Sequence, residues 1–260
     1  TLACVFDKSY KQIFTEFADH GIETQKQYTN AQFQFSGDVK YHLGASVRRQ
    51  YPDGGYIKLS MLPNPSHLET VDPIVLGKAR AKIWQHKSFS GKTVLPVIIH
   101  GDAALAGQGV VYEVLQMENL DSSKVGGAIH LVFNNQIGFT TDSVHARSCL
   151  YATDIAKTTK TPVIHVNADD PEYVLWAYKL AIEYRQKFSH DIYLDIIGYR
   201  IFGHNEQDMP KFTQPEMYQY IDGKPDMYKI YTDKLVKSGE FTIDEINAIL
   251  AKYEKIMDDA

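Results

Sequence analysis

The amino-acid pattern predicts an α/β fold: a mainly parallel sheet with helices on both faces, followed by a C-terminal helical extension. Three observations lead there. From about residue 55 onward, short β-rich apolar runs alternate with helical stretches in the order βαβαβαβ, as parallel strands joined by crossovers require. Each run is nearly continuous in its apolar character, the mark of strands covered on both faces. After Pro210 the strand pattern stops and only helical periodicity remains.

Taken in order, Lys8 to His20 reads as a helix, and residues 21 to 55, rich in Gly, Gln, Asn and Tyr without a period, read as an irregular loop region. Gly37, Gly44, Gly54 and Gly55 mark turns within it. The expected strands are Tyr56 to Met61, Val94 to Ile99, Ala128 to Phe133, Val163 to Val166 and Asp191 to Ile197. Between them the expected crossover helices are Asp72 to His86, Gly109 to Leu120, Asp154 to Lys160 and Pro171 to Phe188. The last carries Val174, Ala177, Tyr178, Ala181 and Ile182 at helical spacing. Helices are then expected at Pro215 to Ile221, at Asp226 to Val236, and from Thr242, where Thr242 and Glu245 form a capping-box pattern. The expected domains are residues 1–209 and a helical extension or linker over 210–260.

The chain has 260 residues, 44% of them hydrophobic and 23% charged, a composition that excludes disorder over most of its length. Its net charge is −5 and no segment gathers Lys and Arg, so nucleic acid is not an expected partner. The longest apolar stretch, Tyr173 to Tyr178, falls far short of the roughly 20 residues that span a bilayer, so no membrane partner is expected. Cys4 and Cys149 form neither a disulfide framework nor a metal-ligand spacing, which fits a reducing compartment. The chain starts at Thr1, with no Met and no charged-then-apolar leader, as a piece of a longer protein would.

In doubly wound sheets ligands sit at the carboxyl ends of strands. Two ends stand out. The first is His100-Gly101-Asp102-Ala103-Ala104-Leu105-Ala106-Gly107-Gln108-Gly109, whose small residues let backbone amides approach an anion as a helix begins. The second is Asn134-Asn135-Gln136-Ile137-Gly138. Asp102 and Asn135 lie one βαβ unit apart, so their oxygens can converge on a hard cation; a carboxylate, an amide oxygen and a backbone carbonyl suit magnesium, with a diphosphate completing its shell. The bland reading of either piece alone is a tight turn.

Ser90-Gly91-Lys92-Thr93 lacks the first glycine of a P-loop and precedes a strand instead of following one, and Gly107-Gln108-Gly109 lacks the third glycine of a dinucleotide fingerprint. Of ten histidines, His42, His67 and His204 lie in polar, Gly- or Pro-containing stretches near strand ends, where imidazole transfers protons or binds a carboxylate. None has a zinc-ligand spacing with another. Asp169, Asp170 and Glu172 read as structural acids at a helix start.

Together these motifs resemble the thiamine-diphosphate-dependent dehydrogenase component of 2-oxoglutarate dehydrogenase complexes. The resemblance runs from about Phe14 to Tyr218 through SGDVKYHLG (36–44), NPSHLE (64–69), HGDAALAGQGVVYE (100–113), NNQIGFTTD (134–142), ARSCLYATD (146–154), HVNADDPE (165–172), GHNEQD (203–208) and TQPEMY (213–218). It implies a thiamine-diphosphate-binding fold, with magnesium held by Asp102, Asn135 and the backbone carbonyl of Ile137. Thiamine diphosphate would be lined by Ser66, Leu68, Ala103 and Ala104. His42, Ser66 and His67 would recognise the 2-oxo acid, and His204 would assist proton or acyl transfer.

The implied activity is oxidative decarboxylation of 2-oxoglutarate with succinyl transfer to the lipoyl group of a dihydrolipoyl succinyltransferase. Dihydrolipoyl dehydrogenase would be the third component of the complex. The location would be the cytoplasm in a bacterium and the mitochondrial matrix in a eukaryote. The family's His-Arg-Gly-Arg stretch would precede Thr1, and its pyrimidine-binding domain would follow Ala260. The full-length form would be a homodimer with its site between two chains, and this portion alone would be inactive. Ile201 and Met209 depart from the family's usual Arg and acidic residue. The rival readings are a 2-oxoadipate dehydrogenase paralogue and a non-catalytic scaffold subunit of a 2-oxoacid dehydrogenase complex.

Overall fold

A computed structural model describes residues 1–17, 42–87, 90–205 and 207–260. The described chain divides into two compact units, Thr1–Ser66 with Ser238–Ala260, and His67–Lys237.

The first unit holds α1 (Leu2–Phe6), α2 (Tyr10–Phe17), β1 (Ala45–Gln50) and β2 (Tyr56–Met61). In its described part the helix expected over 8–20 is α2, and ahead of it stands the short α1, which Asp7 ends with a left-handed backbone at φ 58°. Positions 18–20 and Gly37 lie outside the described residues. Tyr56–Met61 is a strand, as expected, but it pairs antiparallel with β1 in a separate two-stranded sheet and has no part in the parallel one. β1 falls in the stretch read as loop because its Arg48, Arg49 and Gln50 give no apolar run. Its pairing is set by the turn, where Tyr51 N–H donates to Gly55 O at 2.7 Å and Gly54 adopts φ 88°. Arg49 then fastens α1 to β1 by donating to the Val5 and Cys4 carbonyls and to the Asp7 carboxylate.

The second unit contains the parallel sheet, in the order β3 (Val97–Gly101), β4 (Ile129–Asn134), β8 (Ile192–Ile197), β7 (Val163–Asn167). All three pairings are parallel. Ahead of it lies α3 (Asp72–Gln85). Between β3 and β4 the helix expected over 109–120 is the shorter α5 (Gly109–Leu115), preceded by a separate short helix, α4 (Asp102–Gly107), with an extended Gln108 between them. A small hairpin of β5 (Ile137–Gly138) and β6 (Thr141–Asp142) follows β4, then α6 (Ser143–Ala146). The helix expected near 154–160 is a 3-10 helix over Ala152–Thr158, capped at its start by Asp154 on the Tyr151 N–H. α7 (Pro171–Phe188) crosses back from β7 to β8, with Asp170 accepting from Tyr173 N–H at its N-terminus.

Alternation along β4 and β8 divides the core into two layers. Val132 and Tyr193 face Leu105, Val111, Leu115, Ala152 and Ala156 from α4, α5 and the 3-10 helix. Ile129, Leu131, Ile192, Leu194 and Ile196 face Ala177 and Ala181 of α7. The central strands are thus covered on both faces, but β3 is not: Ile98 and His100 are buried while Val97 and Ile99 are exposed.

The helices after Pro210 are α8 (Pro215–Gly223), α9 (Met227–Ser238) and α10 (Ile243–Asp258). Tyr218 and Ile221 of α8 pack on Ile137, so this helix closes the end of the sheet where Asn135 sits. Thr242 and Glu245 form the expected capping box. None of the described helices is long and apolar enough to cross a membrane. Cys4 and Cys149 are exposed free thiols.

Candidate active site

Asp102 stands at the carboxyl end of β3 as the first residue of α4, and its side chain is buried. Its Oδ2 accepts from Arg147 at 3.2 Å, and the nearby backbone N–H groups of Asp102 itself and Asn135 favour its charged form. Burial raises the Asp102 pKa above the ordinary carboxylate value, and the Arg147 guanidinium and these N–H donors work against that rise. A cation arriving at this carboxylate would add to the same opposing side.

Asn135 ends the neighbouring strand. Its Oδ1 accepts from Ile137 N–H at 3.2 Å, closing an Asx turn in which Gln136 takes φ 63°. An amide oxygen has a second lone pair, so this bond leaves one free for a ligand. The β5–β6 hairpin lies tightly on α4, since a Cβ added at Gly138 would meet Ala103 Cβ at 2.6 Å. The missing side chain lets Asn135 and Ile137 come up against Asp102 and Ala103. Ala103 is half-buried and Ala104 buried.

Glu69, Asp72 and His100 form a second polar centre, one the sequence reading did not single out. Their ligand-type atoms lie within 4.8 Å of one another, close enough for one metal ion. His100 Nδ1 is 2.5 Å from Glu69 Oε2, and burial together with the adjacent Glu69 charge pushes the Asp72 pKa up to about 8. At neutral pH a proton on Asp72 therefore removes the second negative charge that an ion would otherwise have to neutralise. The centre continues through His100 Nε2 to His130 Nδ1 at 2.9 Å, and His130 Nε2 lies 3.4 Å from Asp191 Oδ2.

His42 and Ser66 come together in the first unit: His42 Nδ1 donates to Asn64 O, and Ser66 Oγ–H donates to His42 Nε2 at 3.3 Å. The carbonyl bond fixes Nδ1 as the donating nitrogen. In the second unit His67 and Leu68 are exposed on the loop leading to α3, where Thr70 Oγ1 donates to His67 O at 2.8 Å. His204 is exposed and meets the Phe139 ring edge-on at 4.8 Å between centroids. The departures Ile201 and Met209 are both exposed.

A cavity of ≈ 630 Å³ opens beside Asn135 at the carboxyl ends of β4, β7 and β8, bordered by Gln136, His165, Asn167, Tyr199 and Lys224. His165 is oriented by the fully buried Asp195, which accepts from its Nδ1 at 2.8 Å while also accepting from Asn134 Nδ2 at 3.1 Å. Arg147, His165 and Asp195 were missed as site residues. A signal was present: Asp195 interrupts an otherwise apolar strand, and a charge inside such a run needs a buried partner.

Strand ends that gather buried carboxylates, amides and oriented histidines beside a cavity mark this as a ligand-binding domain of the doubly wound α/β class. The chain belongs to the Dehydrogenase E1 component family, which it matches over residues 3–260. It is 45% identical over 260 residues to the 2-oxoglutarate dehydrogenase-like, mitochondrial protein of Pongo abelii, covering 100% of this chain and 25% of that protein. To the 2-oxoglutarate dehydrogenase, mitochondrial, of Dictyostelium discoideum it is 46% identical over 258 residues, 98% of this chain and 25% of that protein. To the multifunctional 2-oxoglutarate metabolism enzyme of Mycolicibacterium vanbaalenii it is 45% identical over 258 residues, 97% of this chain and 20% of that protein. The chain thus spans a quarter or less of the length of these relatives.

Proposed function

We propose that this chain is the diphosphate-binding portion of a thiamine-diphosphate-dependent 2-oxoglutarate dehydrogenase, with residues 1–209 as the binding domain and 210–260 as its helical extension. The observation that carries the reading is the placement of Asp102 and Asn135 at the ends of adjacent parallel strands, where the Asn135 amide oxygen accepts one bond from Ile137 N–H and has a second lone pair. That donor set fits magnesium: Asp102 supplies charge, Asn135 an amide oxygen and Ile137 a backbone carbonyl. Ser66, Leu68, Ala103 and Ala104 would line the cofactor, which when bound supplies the electron sink for decarboxylation.

In this reading the chain's own residues bind and orient. Arg147 holds the Asp102 carboxylate in its buried position until a cation shares it. His42, held at Nδ1 by Asn64 O, would recognise the 2-oxo acid together with Ser66, whose hydroxyl lies 3.3 Å from its Nε2. His67 joins in substrate recognition, and His204 donates or accepts a proton during acyl transfer. Succinyl passes to the lipoyl group of a dihydrolipoyl succinyltransferase, with dihydrolipoyl dehydrogenase completing the complex and a homodimer as the working form. Support comes from the relatives' names together with the family match. The test is turnover by the full-length enzyme with thiamine diphosphate and magnesium: 2-oxoglutarate is consumed with higher kcat/KM than 2-oxoadipate. The reverse preference, or no turnover of either acid, overturns the assignment.

A further inference from the structure

The loop 66–71 joins exposed residues to one buried anchor. His67 and Leu68 are exposed, whereas Glu69 turns inward, is 7% exposed and adopts a left-handed backbone with φ 68°. A residue with a Cβ pays about 1–2 kcal/mol for that conformation, so something must hold it there. The holder is visible: Glu69 Oε2 lies 2.5 Å from His100 Nδ1, whose side chain is fully buried on β3.

Glu69 Oε2 accepts from His100 Nδ1–H, and His100 Nε2 lies 2.9 Å from His130 Nδ1 on the adjacent strand. The two imidazoles stack at 5.2 Å with 17° between planes, and Tyr193 stacks on His130 at 4.3 Å. Every ring is therefore fixed in rotation and by packing. A buried polar chain of this kind contributes less to net stability than to selecting one geometry.

Position gives the chain its consequence. Glu69 directly follows Leu68, and His100 on β3 stands two residues before Asp102, which opens α4 at that strand's end. We infer that Glu69 and His100 are positioning residues: their buried contact locks the His67–Leu68 loop to the strand end that carries Asp102, setting the substrate-recognition side of the site relative to its metal side. This rests on the proposed function for the roles of His67, Leu68 and Asp102, while the coupling itself rests on the buried contact alone.

The experiment uses the full-length enzyme and its Glu69→Ala and Glu69→Gln variants. Hydrogen–deuterium exchange over residues 64–71 is measured without cofactor. Thiamine diphosphate affinity is measured by titration calorimetry with magnesium, and KM and kcat with 2-oxoglutarate. In Glu69→Ala, loop exchange rises at least tenfold and KM rises at least tenfold, with a smaller change in kcat. Glu69→Gln, whose amide oxygen still accepts from His100, restores most of both. If Glu69→Ala does not fold, His100→Gln is read in the same way. A variant with a lowered melting temperature but wild-type loop exchange, cofactor affinity and KM has lost only stability, and that result overturns the inference. Wild-type enzyme inert toward 2-oxoglutarate would defeat the functional reading instead, while loop exchange would still decide whether the coupling exists.

Discussion

At the scale of single residues, buried carboxylates dominate the account, and each has a distinct answer to the cost of its charge. Asp102 has Arg147; Asp195 has Asn134 and His165; Asp72 has the Glu69 carboxylate beside it, which favours its protonated form. Asp72 is raised to about 8 by burial and then by the Glu69 charge, so between about pH 4 and pH 8 the folded protein keeps a proton that the unfolded chain has released. A proton held only by the folded state makes stability fall as pH rises. The contribution is complete below about pH 4, declines by at most ~1.4 kcal/mol per pH unit, and is gone above about pH 8. Urea titrations at pH 5 and pH 8 should therefore show a smaller loss for Asp72→Asn than for wild type; equal losses would sink this assignment. Asp102 and Asn135 were legible in the sequence because strand-end position and spacing together specify a donor pair. Glu69, His100 and Arg147 were not, because their function depends on partners 31 and 45 residues distant that no local pattern connects.

Among elements, the most exacting joint lies at the end of the sheet away from the site. Arg185 of α7 is 1% exposed and donates to the carbonyls of Gly127, Gly91, Val94 and Val125. One guanidinium thus closes the loops before β3 and β4. Its fork geometry is not available to lysine, so Arg185→Lys and Arg185→Met both leave buried carbonyls unpaired, at a cost of roughly 3 kcal/mol or more by denaturant titration. A loss under about 1 kcal/mol would show that water replaces these bonds. Gly127 is equally constrained: it has φ 85°, and an added Cβ would meet His190 O at 2.3 Å. Gly127→Ala should destabilise by about 2 kcal/mol or more, whereas Gly77→Ala, where a Cβ meets nothing within 4 Å, should be neutral or mildly stabilising. Thermal unfolding of the pair reads the contrast directly.

Strands β4, β7 and β8 and helices α3 and α7 were readable because apolar runs and 3.6-residue periodicity are strong local signals. The β1–β2 hairpin was half-legible. β2 has an apolar run, but β1 reads Ala-Ser-Val-Arg-Arg-Gln with no such run, and its existence is decided by pairing across the Gly54 turn. The helix expected at 109–120 starts where expected and ends early, at Leu115, while the separate helix α4 before the extended Gln108 was not announced by composition.

At the scale of the molecule, the chain is a family member that covers a quarter or less of its relatives, so the proposed catalysis belongs to the longer enzyme. Within this portion, β3 and β4 bring the Asp102 carboxylate and the Asn135 amide to adjacent strand ends, and the hairpin and α8 close over that corner. Everything proposed for cofactor and metal depends on that corner. Titration calorimetry of thiamine diphosphate into the full-length enzyme, with and without magnesium, addresses it most directly. The account predicts saturable, magnesium-dependent binding that Asp102→Ala abolishes while the melting temperature of the cofactor-free protein stays within a few degrees of wild type. Undiminished magnesium-dependent affinity in folded Asp102→Ala would contradict it.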